Sequence, residues 1–309
     1  MAKKPSPLVF GIRSYTAMAR QIARLAEGEL GKIEVQLFPD GERYQRILTN
    51  ASNRDVLLVG GTASDADTLE LYDLACALAK YGVRSLDLAI PYFGYSTMER
   101  AVKIGEVVTA KTRARLLSSI PRAARGNRVF LLDLHSEGIP HYFEGDITAF
   151  HVYGKPLVFQ IARKLGGRDF VMASTDAGRA KWVQSLAEDL GVGAAFVFKK
   201  RIDGKRTAIT GVSAQVEGRH VIIYDDMIRT GGSLVNAARA YLAAGAKVID
   251  VISTHGLLPG DAVEKIRKSR AIRAIHVTDS HPNAPKLKSD FLKVHPVAPL
   301  LVDALRVHV

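Results

Sequence analysis

The sequence predicts an α/β protein of two related domains, each a parallel sheet flanked by helices. Three observations carry this. Short apolar, β-branched runs alternate with longer helical patterns, the order that builds parallel sheets. The runs are apolar on both faces, as strands covered by helices on each side must be. One helix–strand segment recurs later in the chain. A length of 309 residues suits two domains of ordinary size.

In chain order, strands are expected at Asp55–Gly61 (DVLLVGG), Ser85–Ile90 (SLDLAI), Arg128–His135 (RVFLLDLH), Asp169–Ser174 (DFVMAS), His220–Asp225 (HVIIYD) and Lys247–Ser253 (KVIDVIS). Helical patterns lie at Thr68–Lys80, Lys111–Ser119, Arg179–Leu190 and Ser233–Ala243. Leu71–Ile90 lies over Leu234–Ser253 without a gap, with Leu, Ala, Ala, Gly and Asp coinciding at 71/234, 75/238, 77/240, 82/245 and 87/250. Both copies read helix, glycine, strand, which either two related domains or chance and shared fold grammar produces. Gly145, Gly154 and Pro156 punctuate the expected boundary, which divides the chain into residues 1–149 and 150–309, with the last residues allowed to pack back on the first domain.

Hydrophobic residues make up 47% and charged residues 24%, the balance of a soluble globular protein. No stretch approaches the ~20 continuous apolar residues of a membrane span, so no membrane partner is expected. Met1–Pro7 is short and basic with no apolar core after it, so no signal peptide is expected. Cys76 is the one cysteine, which excludes an intrachain disulfide and points to a cytoplasmic location. The formal net charge of +12 suits anionic partners. By charge alone, phosphorylated metabolites and nucleic acid stand level. The dense basic run, Lys199, Lys200, Arg201, Lys205 and Arg206, has no interleaved aromatic residues, so it lacks the stacking surface a single strand needs. No nucleic-acid partner is expected.

The strongest local signal is Val221–Ser233, VIIYDDMIRTGGS. An apolar strand ends in Asp225 and Asp226, a loop with Gly231 and Gly232 follows, then a helix. At the carboxyl end of a parallel strand such a loop opens into the ligand crevice. Paired glycines let the backbone approach an anion, and Thr230, Ser233 and the free amides of the helix start hold a phosphate. Two carboxylates beside a phosphate cradle suit a sugar phosphate. The bland reading is an acidic turn before a capped helix.

This stretch resembles the phosphoribosyl diphosphate-binding motif of the phosphoribosyltransferase-fold proteins, with Asp225, Asp226, Arg229, Thr230, Gly231, Gly232 and Ser233 on its positions. Other segments resemble the ribose-phosphate diphosphokinases in particular. Phe38-Pro39-Asp40-Gly41-Glu42 is similar to their Phe-x-x-Gly-Glu nucleotide loop, and Pro91-Tyr92-Phe93-Gly94-Tyr95 to their Pro-Tyr-Phe-x-Tyr. Leu132-Asp133-Leu134-His135-Ser136 is similar to their Asp-Leu-His segment, and Ser174-Thr175-Asp176-Ala177-Gly178 to their Ser-Pro-Asp-x-Gly loop. Ser253–Gly256 and Val277–Ser280 match two later segments. The matches run in family order from about residue 34 to the C-terminus. Ser96–Arg100 and Gly105–Ala110 resemble the plant-type class II enzymes, since Thr97 and Met98 stand where class I enzymes carry an Arg-Gln pair. Lys199 and Arg201 fall on the Lys-x-Arg of the family's catalytic flexible loop. Ile202 replaces a further class I arginine, for which Lys205 or Arg206 is a substitute of unassigned alignment.

The resemblance implies two phosphoribosyltransferase-like domains and a definite reaction. The anomeric hydroxyl of ribose 5-phosphate attacks the β-phosphorus of ATP, giving phosphoribosyl diphosphate and AMP. It implies an ATP side of Phe38, Asp40, Glu42, Arg100 and His135, a ribose 5-phosphate side of residues 225–233, and Lys199 and Arg201 as catalytic cations. It also implies Mg2+ near His135 and Asp176, and a homo-oligomer of unstated order. Zinc is not expected, for want of a cysteine–histidine cluster. The competing readings are a phosphoribosyltransferase using the same diphosphate, which leaves Phe38–Glu42 and Pro91–Arg100 unexplained, and an inactive regulatory subunit, against which the intact basic run and acidic motif argue.

Overall fold

The computed structural model describes residues 6–201, 207–212 and 215–307, with the backbone alone at 177, 198–201 and 207–210. The chain forms two compact units, Met1–Tyr153 with Val297–Val309, and Gly154–Pro296.

The first unit runs β1 (Leu8–Gly11), α1 (Thr16–Leu25), β2 (Glu29–Leu30), β3 (Ile33–Leu37), β4 (Arg43–Ile47), β5 (Asp55–Val59), α2 (Asp65–Lys80), β6 (Ser85–Ile90), α3 (Thr109–Ser118), β7 (Asn127–Leu132) and β8 (Ile147–Val152). The second runs α4 (Lys155–Gly166), β9 (Val171–Ser174), α5 (Ala180–Leu190), β10 (Gly193–Ala195), β11 (Val197–Arg201), β12 (Thr207–Val212), β13 (His220–Ile228), α6 (Gly232–Ala243), β14 (Val248–Gly256), α7 (Ala262–Lys268), β15 (Ala274–Thr278) and β16 (Leu292–His295). The last helix, α8 (Ala298–Val307), packs on α1 and β7 of the first unit.

Each unit holds a parallel sheet, of order β2-β1-β5-β6-β7-β8 in the first and β10-β9-β13-β14-β15-β16 in the second. The two orders are the same once chain numbers are set aside. Each also carries an antiparallel hairpin at the same point of the chain, β3–β4 in one and β11–β12 in the other. The sequence repeat falls on α2–β6 and α6–β14. Its shared glycines, Gly82 and Gly245, both take positive φ (+77° and +92°), which ends the helix and turns the chain into the next strand. Its shared acids do the same work: Asp87 meets Arg128 at 2.7 and 2.6 Å, and the fully buried Asp250 is paired with Arg273.

The central strands are buried on both faces. Val221, Ile223 and Val251 pack with Leu234, Ala238 and Ile266 on one side of the second sheet. Met172, Ile222, Tyr224 and Ile252 pack with Ile161, Val183 and Leu186 on the other. Each such aliphatic side chain contributes about 1.5–3 kcal/mol on burial. α2 starts at Ser64, whose hydroxyl accepts the Asp67 amide at 3.1 Å, and Asp65 and Asp67 complement its positive end. No helix among the described residues is long and apolar enough to cross a membrane.

The strand expected over His220–Asp225 continues to Ile228, because Asp225 pairs with Ser253 and Met227 with His255 of β14. The two acids therefore sit in the sheet and not past its end. The strand expected over Arg128–His135 ends at Leu132, where Asp133 turns the chain with φ +44°.

Candidate active site

The acid pair is placed by β13, which lies between β9 and β14. Asp225 accepts a hydrogen bond from the Thr175 hydroxyl at 3.0 Å and from the Asp226 amide at 3.0 Å. Asp226 is 3% exposed, and its Oδ2 stands 2.6 Å from the Arg179 guanidinium. Burial, then the neighbouring Asp226 charge, pushes the Asp225 carboxyl up to about 7. Asp226 is thus paired with a guanidinium, and the Asp225 carboxyl beside it is shifted towards neutrality.

Four residues on, the chain enters α6 through Gly231, at φ +78°. A Cβ there would stand 2.4 Å from the Ile266 side chain, so only glycine lets the loop lie against α7. Gly231, at the N-cap of α6, has no side chain to cap it. Its first amides are left for an anion, with the exposed Thr230 and Ser233 hydroxyls beside them. Arg229 is exposed at the start of the loop. A pocket of about 510 Å³ opens beside Thr230–Gly232, its far wall carrying Arg239, Lys265 and Lys268.

Asp176 follows β9. Its Oδ1 accepts the Gly178 amide at 2.9 Å, and the Ser174 hydroxyl donates to its carbonyl at 2.7 Å. Tyr241 of α6 donates to the Ser174 carbonyl at 2.9 Å. At the ends of β14 and β15, the Thr278 and Ser280 hydroxyls both donate to the Thr254 carbonyl, and His255 meets Ser280 at 2.8 Å. The late motif segments are therefore tied to each other beneath the site.

In the first unit, the β3–β4 turn closes with the Phe38 amide on the Glu42 carbonyl at 2.8 Å, and Asp40 accepts the Glu42 amide at 3.0 Å. This presents Phe38, Asp40 and Glu42 at an exposed tip. Arg100 is exposed, 3.6 Å from Glu99, and Met98 is 45% exposed, not core. His135 is half-buried in the loop after β7, where the Leu134 amide donates to His151 at 2.9 Å.

Lys199 and Arg201 lie two positions apart on β11, paired in register with Ile209 and Thr207. Ile202, Lys205 and Arg206 lie outside the described residues. His135 belongs to the first unit and Asp176 to the second. Among the described residues no group of three or more His, Cys, Asp or Glu could hold a metal. A single carboxylate such as Asp176 suits a hard cation carried mostly by substrate phosphates and water.

Sequence reasoning passed over Thr175 and Arg179. The signal was present: a hydroxyl and a cation within or beside a recognised motif, with their partners fifty positions away along the chain. A second cavity, of about 530 Å³, is lined by Asp55, Asp87, Arg125 and Arg128 at the amino ends of β5, β6 and β7. Ligands of open parallel sheets bind at the carboxyl ends, so this cavity is not the candidate site.

Residues 8–120 match the family described as the N-terminal domain of ribose phosphate pyrophosphokinase, and residues 200–309 the phosphoribosyl synthetase-associated domain. The chain is 33% identical over 301 residues to the ribose-phosphate pyrophosphokinase of Fusobacterium nucleatum, covering 96% of this chain and 93% of that one. It is 31% identical over 303 residues to that of Bacillus subtilis, with coverage of 97% and 93%. Among solved structures, the phosphoribosylpyrophosphate synthetase of Mycobacterium smegmatis superposes with a TM-score of 0.86 at 26% identity, covering 99% of both chains.

Proposed function

The chain belongs to the ribose-phosphate pyrophosphokinase family, and from that premise we infer that it transfers the diphosphoryl group of ATP to the anomeric hydroxyl of ribose 5-phosphate. The products are 5-phosphoribosyl 1-diphosphate, a precursor for nucleotide biosynthesis, and AMP. The observation that carries the reading is the acid pair of β13 followed by an uncapped, glycine-entered helix start. It answers both ends of a ribose phosphate, hydroxyls at one and phosphate at the other. A phosphoribosyltransferase is disfavoured because the likeness spans both units and not the second alone.

Asp225 and Asp226 accept hydrogen bonds from the ribose hydroxyls. Thr230, Ser233 and the amides of residues 231–233 hold the 5-phosphate, with Arg229 adding charge. Phe38, Asp40, Glu42, Arg100 and His135 serve ATP. Lys199 and Arg201 offset charge that grows on the transferring oxygens, where a positioned cation is worth most. Mg2+, if bound with the substrate phosphates, would neutralise their charge, and His135 and Asp176 are the protein groups that would help to hold it. Water must be kept from the β-phosphorus, or ATP hydrolysis competes.

Within the family we place the chain with the class II enzymes. The support is Thr97 and the solvent-facing Met98, which offer no guanidinium or amide to an adenine edge. We also propose a homo-oligomer acting in the cytoplasm. The β3–β4 hairpin leaves Leu37 62%, Phe38 38% and Tyr44 39% exposed, apolar surface of the kind that association covers. Phosphorus NMR of the protein with Mg2+, ATP and ribose 5-phosphate tests the reaction. AMP and a new diphosphate ester are expected; ADP, or no change, would sink the assignment.

A further inference from the structure

Two adjacent carboxyls within a buried strand repel each other, and burial deepens the cost. Neither holds one orientation as an anion unless a donor of its own fixes it. Here each has one. Thr175 Oγ1 donates to Asp225 Oδ2 at 3.0 Å, and Arg179 Nη2 stands 2.6 Å from Asp226 Oδ2. Both donors come from the loop that leaves β9, and Asp176 lies between them in sequence.

The start of the loop is tied to its surroundings. Thr175 is 2% exposed and Ser174 fully buried. The Ser174 hydroxyl holds the Asp176 carbonyl at 2.7 Å, and the Tyr241 hydroxyl holds the Ser174 carbonyl at 2.9 Å. Position 175 is where the resembling Ser-Pro-Asp-x-Gly segment has proline, a residue with no hydroxyl to donate. The bond to Asp225 is thus a feature of this chain's own side chain.

We infer that Thr175 and Arg179 are positioning residues of the ribose 5-phosphate site, a two-point clamp that holds Asp225 and Asp226 in the orientation the sugar hydroxyls require. The inference rests on the ribose-phosphate reading given above. Electrostatics agree with the geometry, since the Thr175 hydrogen bond and the Arg179 charge both draw the Asp225 carboxyl back towards its ionised form.

Calorimetric titration of the full chain with ribose 5-phosphate, and separately with ATP, tests it. Thr175→Val loses about tenfold in ribose 5-phosphate affinity and little for ATP, and Thr175→Ser restores it. Arg179→Met loses at least roughly tenfold. Because it strands a buried anion, its fold is checked by circular dichroism, and Arg179→Lys, which keeps the charge, retains most of the affinity. On an Asp225→Ala background Thr175→Val adds little further loss, which a merely structural threonine would not show. The clamp is overturned if Thr175→Val and Arg179→Met bind ribose 5-phosphate like wild type, or if the Thr175→Val loss is fully additive with that of Asp225→Ala. Equal losses for both ligands also overturn it, as damage to the unit. If Asp225→Ala and Asp226→Ala themselves bind ribose 5-phosphate normally, the ribose-site reading fails, and the clamp with it.

Discussion

At the scale of single residues, charge placed for the transition state separates from charge placed for binding. Lys199 and Arg201 lie at the end of β11, where it pairs with β12. A cation that meets the transferring group matters most when charge develops there. Lys199→Ala and Arg201→Ala are each expected to slow turnover 10²–10³-fold, about 3–4 kcal/mol, with ribose 5-phosphate binding nearly intact. Steady-state rates decide: more than about a third of wild-type turnover in both variants removes them from the catalytic role. Asp225 and Asp226 are proposed for binding. Asp225→Asn and Asp226→Asn each weaken ribose 5-phosphate by roughly 1.5–3 kcal/mol and spare ATP. Asp225 must be ionised to accept fully, and its carboxyl sits at about 7. Affinity therefore falls as pH drops through 7, and titrations across that range in wild type and Asp225→Asn check it. The variant's affinity depends on pH less steeply. The types and spacing of these acids were readable from VIIYDDMIRTGGS alone. Their partners, Thr175 and Arg179, were not, because a donor fifty residues distant becomes a neighbour only when β9 pairs with β13.

At the scale of elements, the edge of the second sheet carries a pH-sensitive contact. His276 of β15 and His295 of β16 meet at 3.0 Å, ring on ring. His276 is 9% exposed, and burial, then His295, Lys293 and Arg273, lower its pKa to about 4, with Asp250 opposing. Burial and Lys164 and Lys288 lower His295 as well. An imidazole held neutral when folded takes up a proton on unfolding below its ordinary 6.5. Stability is thus fully present above about 6.5 and is lost as pH falls towards 4. The loss reaches about 3 kcal/mol for His276. Urea unfolding at pH 7.5 and pH 5 measures it, and His276→Gln flattens the difference; an unchanged slope in that variant assigns the effect elsewhere. The sequence shows both histidines but not their approach, which the parallel register His276 to Lys293 and Thr278 to His295 creates. The strands and helices themselves were largely legible, since a buried parallel strand must be apolar on both faces. The β13 extension was not: the two adjacent acids read as a strand end, and pairing to β14 keeps Asp226–Ile228 extended.

At the scale of the whole molecule, donor choice and regulation are the open properties of the class II proposal. With Thr97 and Met98 in place of an Arg-Gln pair, a wrong base leaves no buried polar partner unsatisfied, so discrimination is low. GTP and CTP are expected to serve at appreciable rates. Activity is expected to be full in phosphate-free buffer, with ADP inhibition competitive with ATP. Steady-state rates with the three nucleotides, with and without phosphate, check this. Strict ATP dependence with strong phosphate activation would end the class II proposal and leave the family assignment standing.

The sequence by itself determined the α/β class, the repeat and the acidic motif. Each is a local pattern: apolar periodicity, a glycine where φ must be positive, two acids before a glycine-entered helix. Tertiary structure decided what those patterns do together. It put the sheets in one shared strand order, brought α8 back to β7 of the first unit, and set Arg128 on Asp87 and Arg273 on Asp250. It also gave each acid of the β13 pair a donor, Thr175 for Asp225 and Arg179 for Asp226. The physical reason is the same throughout. Local backbone preference is written in neighbouring residues, whereas hydrogen bonds and ion pairs between distant segments exist only once strand pairing has fixed which residues share a face.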